Sequence, residues 1–315
     1  MKDLKIVTVT LNPAVDLTLN VDVLRIGEIN SVSSMRKDSG GKGINVSKVI
    51  HNLGMKTVAT GFIGGSTGEW LQADLKHKEI PADFIKIAGE TRTNVKIISP
   101  ESETQCNGTG PHPHEEDLVR LCNKIDQLLE DGDALILAGS VPGETDPIVY
   151  RKIIQSLRKN VFIALDTSGE ALKESIAGKP DLIKPNEEEL SQLAGIELRT
   201  EGEIVRTAQE LLAQGVKHIL VSLGERGSLY VSKQGAFRAV TPKVEARSTV
   251  GAGDATLAGF VTKYLSTGDA LASFVFANAC GVATVLKEGS QVCNRTEAEQ
   301  FVNQIVCMPI NGVSV

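Results

Sequence analysis

Short apolar runs alternate with amphipathic stretches along most of the chain. Runs at 4–11, 57–63, 83–87, 134–138, 161–165, 182–184 and 218–222 have strand length and strand composition. Between them, apolar residues recur at helical spacing over 41–54, 68–79, 115–129, 147–158, 187–194 and 201–214. In the first of these, Ile44, Val46, Val49, Ile50 and Leu53 form one stripe. The last opens with the capping box Thr200-x-x-Glu203. Repeated strand–helix units with apolar strands predict an α/β fold: a mainly parallel central sheet with helices on both faces.

Two segments break the alternation. Residues 16–23 alternate apolar and polar (Leu17, Leu19, Val21, Val23), as does part of 32–37, and neither is followed by a helix of its own. Residues 93–99 and 104–109 look like another strand pair, with Pro100-Glu-Ser-Glu103 between them. These pairs predict a small β-sheet appended to the main unit and open to solvent on one face. Its natural use is as a lid over a cleft. The expected organisation is one domain over 1–315, with the lid inserted from about 12–38 and 92–110. Exposed apolar positions on the lid's outer face would suit a homodimer.

Composition narrows the function. With 41% hydrophobic and 23% charged residues the chain is an ordinary globular protein. A net charge of −6 and the lack of any basic run argue against a nucleic-acid surface. The most apolar helix candidate, 269–286, is interrupted by Ser273, Asn278, Gly281 and Thr284 and reads as a buried helix, so no membrane contact is expected. Met1-Lys-Asp-Leu-Lys5 leads directly into the first strand without a secretory signal. Five scattered cysteines without Cys-x-x-Cys spacing suit reduced thiols in a cytoplasmic protein and disfavour a zinc site. His112 and His114, flanking Pro113, read as a polar loop.

The segment Ser248-Thr-Val-Gly-Ala-Gly-Asp-Ala-Thr-Leu-Ala-Gly-Phe260 carries the clearest chemical signal. A β-branched run at 239–244 predicts a strand before it. Ala255, Leu257, Ala258, Phe260, Val261, Tyr264 and Leu265 predict a helix after it. Gly251, Ala252 and Gly253 therefore sit at a helix start, where backbone N–H groups and the helix dipole attract an anion. Asp254 in the first turn suits proton removal from an attacking hydroxyl, or simply complements the dipole.

Other segments offer weaker signals. Ser39-Gly-Gly-Lys-Gly-Ile-Asn45 opens the first long helix and fits neither the Walker A nor the Gly-x-Gly-x-x-Gly spacing. Its glycines permit close approach, and Lys42 and Asn45 add a cation and an amide. Asp16 follows Asn12-Pro13 at the end of the first strand, where its carboxylate suits two sugar hydroxyls. Arg92 sits where the chain re-enters the lid, and Asn94 and Lys96 share a strand face. An arginine and a lysine aimed at one pocket suit a phosphate. Asn186 and Glu189, three apart at a helix start, suit either water-mediated Mg²⁺ or an N-cap with first-turn acids. Ser222-Leu-Gly-Glu-Arg-Gly227 is a strand-end turn suited to nucleotide phosphates or to a plain hairpin.

Together and in this order, these motifs resemble the carbohydrate kinases of the ribokinase-like, phosphofructokinase-B family over nearly the whole chain. Gly40-Gly41-Lys42-Gly43-Ile44-Asn45, continuing to Gly54 and Gly64, looks like that family's first signature, and Ser248 through Val261 like its second. Thr10-Leu-Asn-Pro-Ala-Val-Asp16 is similar to the branch acting on ketohexose phosphates. The resemblance implies a ribokinase-like fold and ATP-dependent phosphorylation. Fructose 1-phosphate is the expected substrate and fructose 1,6-bisphosphate the product, with tagatose 6-phosphate as the alternative substrate. A catalytically silent sugar-phosphate-binding regulator is a further alternative, disfavoured by the intact Asp254 segment.

Residue by residue, the resemblance makes Asp254 the base and the backbone of Gly251, Ala252 and Gly253 the anion hole. Asp16, Gly40, Gly41 and Asn45 would hold sugar hydroxyls, with Lys42, Arg92 and Lys96 near the sugar's existing phosphate. Asn186 and Glu189 would organise Mg²⁺. Lys184, Asn186, Ser222, Gly224, Gly227 and Gly253 would border ATP, with Asn278 on the adenine side. The family's 6-phosphofructokinases carry a second lid arginine about where Gln105 and Cys106 stand here, which disfavours fructose 6-phosphate. Lys96 looks more like the enzymes of fructose 1-phosphate than those of tagatose 6-phosphate.

Overall fold

A computed structural model describes residues 4–310. Strand β1 (Lys5–Thr10) runs into two strands with no helix between them, β2 (Ala14–Val21) and β3 (Val32–Gly40), before the first helix, α1 (Lys42–Asn52). Next come β4 (Lys56–Ile63), α2 (Gly65–His77) and the short β5 (Ile85–Lys86), then a second helix-free pair, β6 (Arg92–Ser99) and β7 (Ser102–Asn107). The alternating section holds α3 (Glu115–Leu128), β8 (Ala134–Ala138), α4 (Val149–Ser156), β9 (Phe162–Asp166), α5 (Gly169–Ile176) and β10 (Leu182–Ile183). It continues through α6 (Glu187–Ala194), α7 (Glu201–Ala213) and β11 (His218–Ser222) to the hairpin strands β12 (Ser228–Ser232) and β13 (Gly235–Val240). Helices α8 (Ala252–Thr267), α9 (Ala270–Val285) and α10 (Arg295–Val302) precede β14 (Val306–Pro309).

The main sheet has ten strands in the order β14-β13-β12-β11-β10-β9-β8-β1-β4-β5. Every pairing from β11 to β5 is parallel, and the β11–β14 edge is antiparallel. The expected α/β class therefore holds. Period-two alternation separates two cores. Val7 and Val9 of β1, with Leu135 and Leu137 of β8, face the side covered by α3 to α7. Ile6, Ala134, Ile136 and Ala138 face α1, α8, α9 and α10. Both faces are covered, so the central strands read as unbroken apolar runs.

Strands β2, β3, β6 and β7 form a separate four-stranded sheet in the order β3-β2-β6-β7. It meets the main unit where Val15 and Ile44 pack with Ile63, Leu71 and Leu75 of the β4–α2 unit. Some boundaries moved. The strand expected at 239–244 is β13, which ends at Val240, because β13 draws its pairing from β12 and β14, and the chain beyond carries Pro242 without a ladder partner. Helix α5, strand β12, helix α10 and β14 had no counterpart among the predicted elements.

His218 of β11 sits among the rings of Phe162, Tyr230, Phe260 and Tyr264, and its Nδ1 lies 2.7 Å from the Tyr230 hydroxyl. Burial pushes its pKa down to about 4, against partial support from Asp181. The folded protein thus keeps this ring neutral, whereas the unfolded chain protonates near pH 6.5. Stability from this group is complete above pH 6.5 and is lost as the pH falls toward 4. In a His218→Gln variant, which keeps a hydrogen-bonding partner for Tyr230 but cannot titrate, the drop in Tm between pH 7 and pH 5 should be visibly smaller than in the parent. Equal drops would show that His218 does not carry this acid sensitivity.

Candidate active site

The chemistry-bearing residues gather at the carboxyl ends of the parallel strands, where helix N-termini also point. β1 ends just before Asn12 and Asp16, β9 ends on Asp166, and β10 ends just before Lys184. Helices α1 and α8 start at the same edge, capped by Gly41 and Gly251. Gly251 has φ +78°, a left-handed conformation that suits glycine and turns the following N–H groups inward. A cavity of about 350 Å³ lies here, lined by Asp16, Gly41, Lys42, Asn45, Arg92, Asn94, Asp166, Lys184, Val250, Gly251, Gly253 and Asp254.

The first turns of α1 and α8 are joined by one contact. Asn45 Nδ2 donates to Asp254 Oδ2 at 2.9 Å, and both residues are buried. Burial, with repulsion from Asp166, raises the Asp254 pKa to about 6, while Asn45, Lys42 and Lys184 hold it from rising further. An ionised carboxylate with a slightly raised pKa is well matched to accepting a hydroxyl proton near neutral pH.

Asp166 is the hub of the charges. It is 1% exposed and receives Lys42 Nζ on Oδ1 at 2.9 Å and Lys184 Nζ on Oδ2 at 3.0 Å. Its burial would raise its pKa, but the two ammonium groups outweigh that and lower it. Lys42 is likewise moved upward: desolvation opposes its charge, and Asp166 more than restores it. Lys184 also lies against Gly253, within 3.2 Å of where a side-chain carbon would stand. Gly251 and Gly253 at the start of α8 and two lysines thus line one small volume beside Asp254.

On the second sheet, Asp16 of β2 accepts from Asn94 Nδ2 of β6 at 2.9 Å. Burial raises the pKa of Asp16 against the effects of Asn94, Lys48 and Arg92. Its carboxylate rests on the backbone of Gly40, where any side chain would collide with it. Arg92 is anchored by the carbonyls of Asn12 and Gly108, each at 3.2 Å. Arg92 feels Asp16, whereas Lys42 feels Asp166, Asp254 and Glu189. Lys42 is thus paired with Asp166 beside Lys184, and it lines the same cavity as Arg92.

The remaining expected residues stand outside the cavity wall. Lys96 lies on β6 opposite Gln105 and forms a 2.8 Å ion pair with Glu103 of β7. Asn186 and Glu189 form a reciprocal capping box at the start of α6: Glu189 N–H donates to Asn186 Oδ1 at 2.7 Å, and Asn186 N–H to Glu189 Oε2 at 2.9 Å. Ser222 bridges to Asn186 across neighbouring strand ends. Gly224 and Gly227 bound a 3₁₀ turn at the end of β11. Asn278 is buried, with its amide oxygen taken by Ser228 Oγ at 2.7 Å and its NH₂ by Phe274 O at 2.9 Å. Three wall residues were missed as site residues: Asp166, Asn94 and the apolar Val250. Asp166 had one usable signal, a carboxylate at the end of a predicted parallel strand. Asn94 had only its shared face with Lys96.

The family model of pfkB carbohydrate kinases matches residues 6–297. The chain belongs to the pfkB family of carbohydrate kinases. A 1-phosphofructokinase of Borreliella burgdorferi is 36% identical over 95% of this chain and 97% of its own length. One of Bacillus subtilis is 35% identical over 96% and 97%. Among solved structures, phosphofructokinase-2 of Escherichia coli in complex with potassium has a TM-score of 0.90 at 28% identity, covering 96% of this chain and 99% of that one.

For a pfkB kinase, Asp254 in this setting leads to a direct test. Asp254→Asn keeps the size and the Asn45 contact region but removes the proton acceptor, so turnover should fall by about a hundredfold or more while substrates still bind. In the parent, kcat/KM should decline as the pH drops through about 6, where Asp254 becomes protonated. Near-parental turnover of Asp254→Asn would exclude it as the base.

Proposed function

We propose that this kinase transfers the terminal phosphoryl group of ATP to fructose 1-phosphate, giving fructose 1,6-bisphosphate. The observation that carries this reading is that three curated relatives, all 1-phosphofructokinases, are 34–36% identical to the chain over 95–96% of its length. The site chemistry agrees. Asp254 accepts the proton of the attacking hydroxyl, whose oxygen then bonds to phosphorus as the bond to the leaving ADP oxygen breaks. The N–H groups from Gly251 to Gly253, with Lys42 and Lys184, face the negative charge on the transferring group. Asp166 keeps Lys42 charged and holds both lysines in place.

At the other end, Asp16 with Asn94 and the Gly40–Gly41 backbone suits the sugar hydroxyls, and Arg92 suits the phosphate that the sugar already bears. Lys96 joins it by releasing Glu103. We read the four-stranded sheet as a lid inserted in a single domain. Val23, Ile26, Ile29 and Met35 on and beside it are exposed, which supports a homodimer formed through the lid.

Mg²⁺ fits this site as a hydrated ion. Among the described residues no three His, Cys, Asp or Glu side chains come together as a cage, and one oxygen each of Asn186 and Glu189 is spent in the capping box. Glu189 and Asn186 would hold it through water, as Mg²⁺ tolerates well. When bound, it neutralises phosphate charge.

Side-by-side turnover of fructose 1-phosphate, tagatose 6-phosphate and fructose 6-phosphate with Mg·ATP tests the substrate, and fructose 1-phosphate should give the highest kcat/KM. A charge-assisted bond is worth about 1.5–3 kcal/mol. Arg92→Ala should therefore raise the sugar-phosphate KM by about ten- to a hundredfold with little change in the KM for ATP. Lys96→Ala should weaken fructose 1-phosphate more than tagatose 6-phosphate. Loss of ATP affinity instead would put these cations in the wrong half of the site. Saturating sugar phosphate should also slow amide exchange in β2, β3, β6 and β7, and unchanged exchange there would argue against a lid.

A further inference from the structure

Lys48 lies on α1 one turn beyond Asn45, and it is 7% exposed. A buried lysine without a catalytic role is costly, so its partners bear on why it is there. Its ammonium donates to the Ser39 carbonyl at the end of β3 and to Asn45 Oδ1, the latter at 3.3 Å. Asn45 in turn donates through Nδ2 to Asp254. The run Ser39–Lys48–Asn45–Asp254 thus joins the second sheet's last strand to the first turn of α8 through three buried polar side chains.

We propose that Lys48 is a positioning residue for the phosphoryl-transfer reaction: it fixes which end of the Asn45 amide faces Asp254. An amide has two orientations related by a half-turn, one presenting NH₂ and the other the oxygen. An ammonium offers donors only, so beside Lys48 the Asn45 oxygen must point toward the lysine. The NH₂ is then left facing Asp254, and it stabilises that side chain as the carboxylate needed to accept a proton. The flipped amide would set NH₂ against an ammonium and oxygen against a carboxylate, losing both bonds. With an apolar side chain at position 48, the flipped amide loses only one bond. It can also accept a hydrogen bond from a protonated Asp254, which favours the inactive form.

The surroundings of Lys48 are mixed in sign. Asp16 of β2, Asp38 of β3 and Asp74 of α2 support its charge, while burial and Lys78 of α2 oppose it and bring its pKa down to about 8. Below that pH the ammonium form prevails, so the donor-only condition holds across the acid limb.

The inference rests on Asp254 being the base, and the test separates the two. The acid limb of kcat/KM is measured for the parent, Lys48→Met, Lys48→Arg, Asn45→Ala and the double variant Asn45→Ala/Lys48→Met, each checked for folding by its melting temperature. Lys48→Met should move the limb up by about half to one pH unit, so that at pH 6 it loses about two- to fivefold in kcat/KM, with a much smaller loss at pH 7.5. Lys48→Arg should keep the limb near the parent's. In the Asn45→Ala background, Lys48→Met should move it no further. If Lys48→Met does not fold, Lys48→Gln takes its place with a smaller upward shift expected. A limb that stays put while only the melting temperature falls, or a shift that persists without Asn45, would overturn the role of Lys48. Turnover retained in Asp254→Asn would instead overturn the base assignment beneath it.

Discussion

The electrostatics of the site depend on a single carboxylate held out of water. Asp166 ends β9 with almost no exposure, and its two oxygens are taken by Lys42 and Lys184. A buried ion of either sign alone would neutralise itself by shifting its pKa. Two lysines around one aspartate leave a cluster with one net positive charge, fixed in position before any anion arrives. That surplus opposes the chain's overall net charge of −6 where an anionic substrate must bind. The same carboxylate repels Asp254 and contributes to its raised pKa, so one residue both secures the cations and tunes the neighbouring base.

This arrangement works because of where the sheet delivers its ends. β1, β9 and β10 are parallel, so Asp16, Asp166 and Lys184 all emerge at one edge although up to 168 positions separate them in sequence. Two of the helices that cover one face start at that edge. α1 and α8 bring their unpaired N–H groups to it, and the Asn45–Asp254 contact keeps the two helix starts in register. A sheet with antiparallel strands here would send alternate ends to opposite sides. Within the main sheet the antiparallel joins are confined to the β11–β14 edge, away from the cavity wall.

What was readable in the sequence follows from the range of the physics involved. Strands, helices and the second sheet's alternation are set by local periodicity, so they were found, with ends displaced by a few residues. Gly40, Gly41, Gly251 and Gly253 were legible because tight approach and helix-start geometry leave a local glycine signal. The partner relationships had no such signal. Lys42 was read as a site cation on family resemblance, but its partner, Asp166, lies 124 residues away and left no local trace. Asp166 itself looks in sequence like any acidic residue closing a strand. Asn186 and Glu189 were readable as either a cap or a metal site, and the cap that their mutual hydrogen bonds form is compatible with holding Mg²⁺ through water. α5 and β12 went unread because their short, mixed sequences are specified by the neighbours they pack on.

The second sheet adds a constraint on the order of events. Asp16, Asn94 and Arg92 come from its strands, whereas Lys42, Lys184 and Asp254 come from the main unit. A sugar phosphate bridging the two groups would bind with its acceptor hydroxyl on the rigid edge and its other end on the sheet that packs less extensively. Binding energy at the Arg92 end is then available to close the cleft and exclude water from the Asp254 end, where bulk water would otherwise compete for the phosphoryl group. Ser39 is the joint between these parts. It ends β3, its carbonyl takes the ammonium of Lys48, and its N–H donates to Asp74 of α2 at 3.3 Å. The closing movement proposed for the sheet would therefore be coupled, through Lys48 and Asn45, to Asp254, the proposed base.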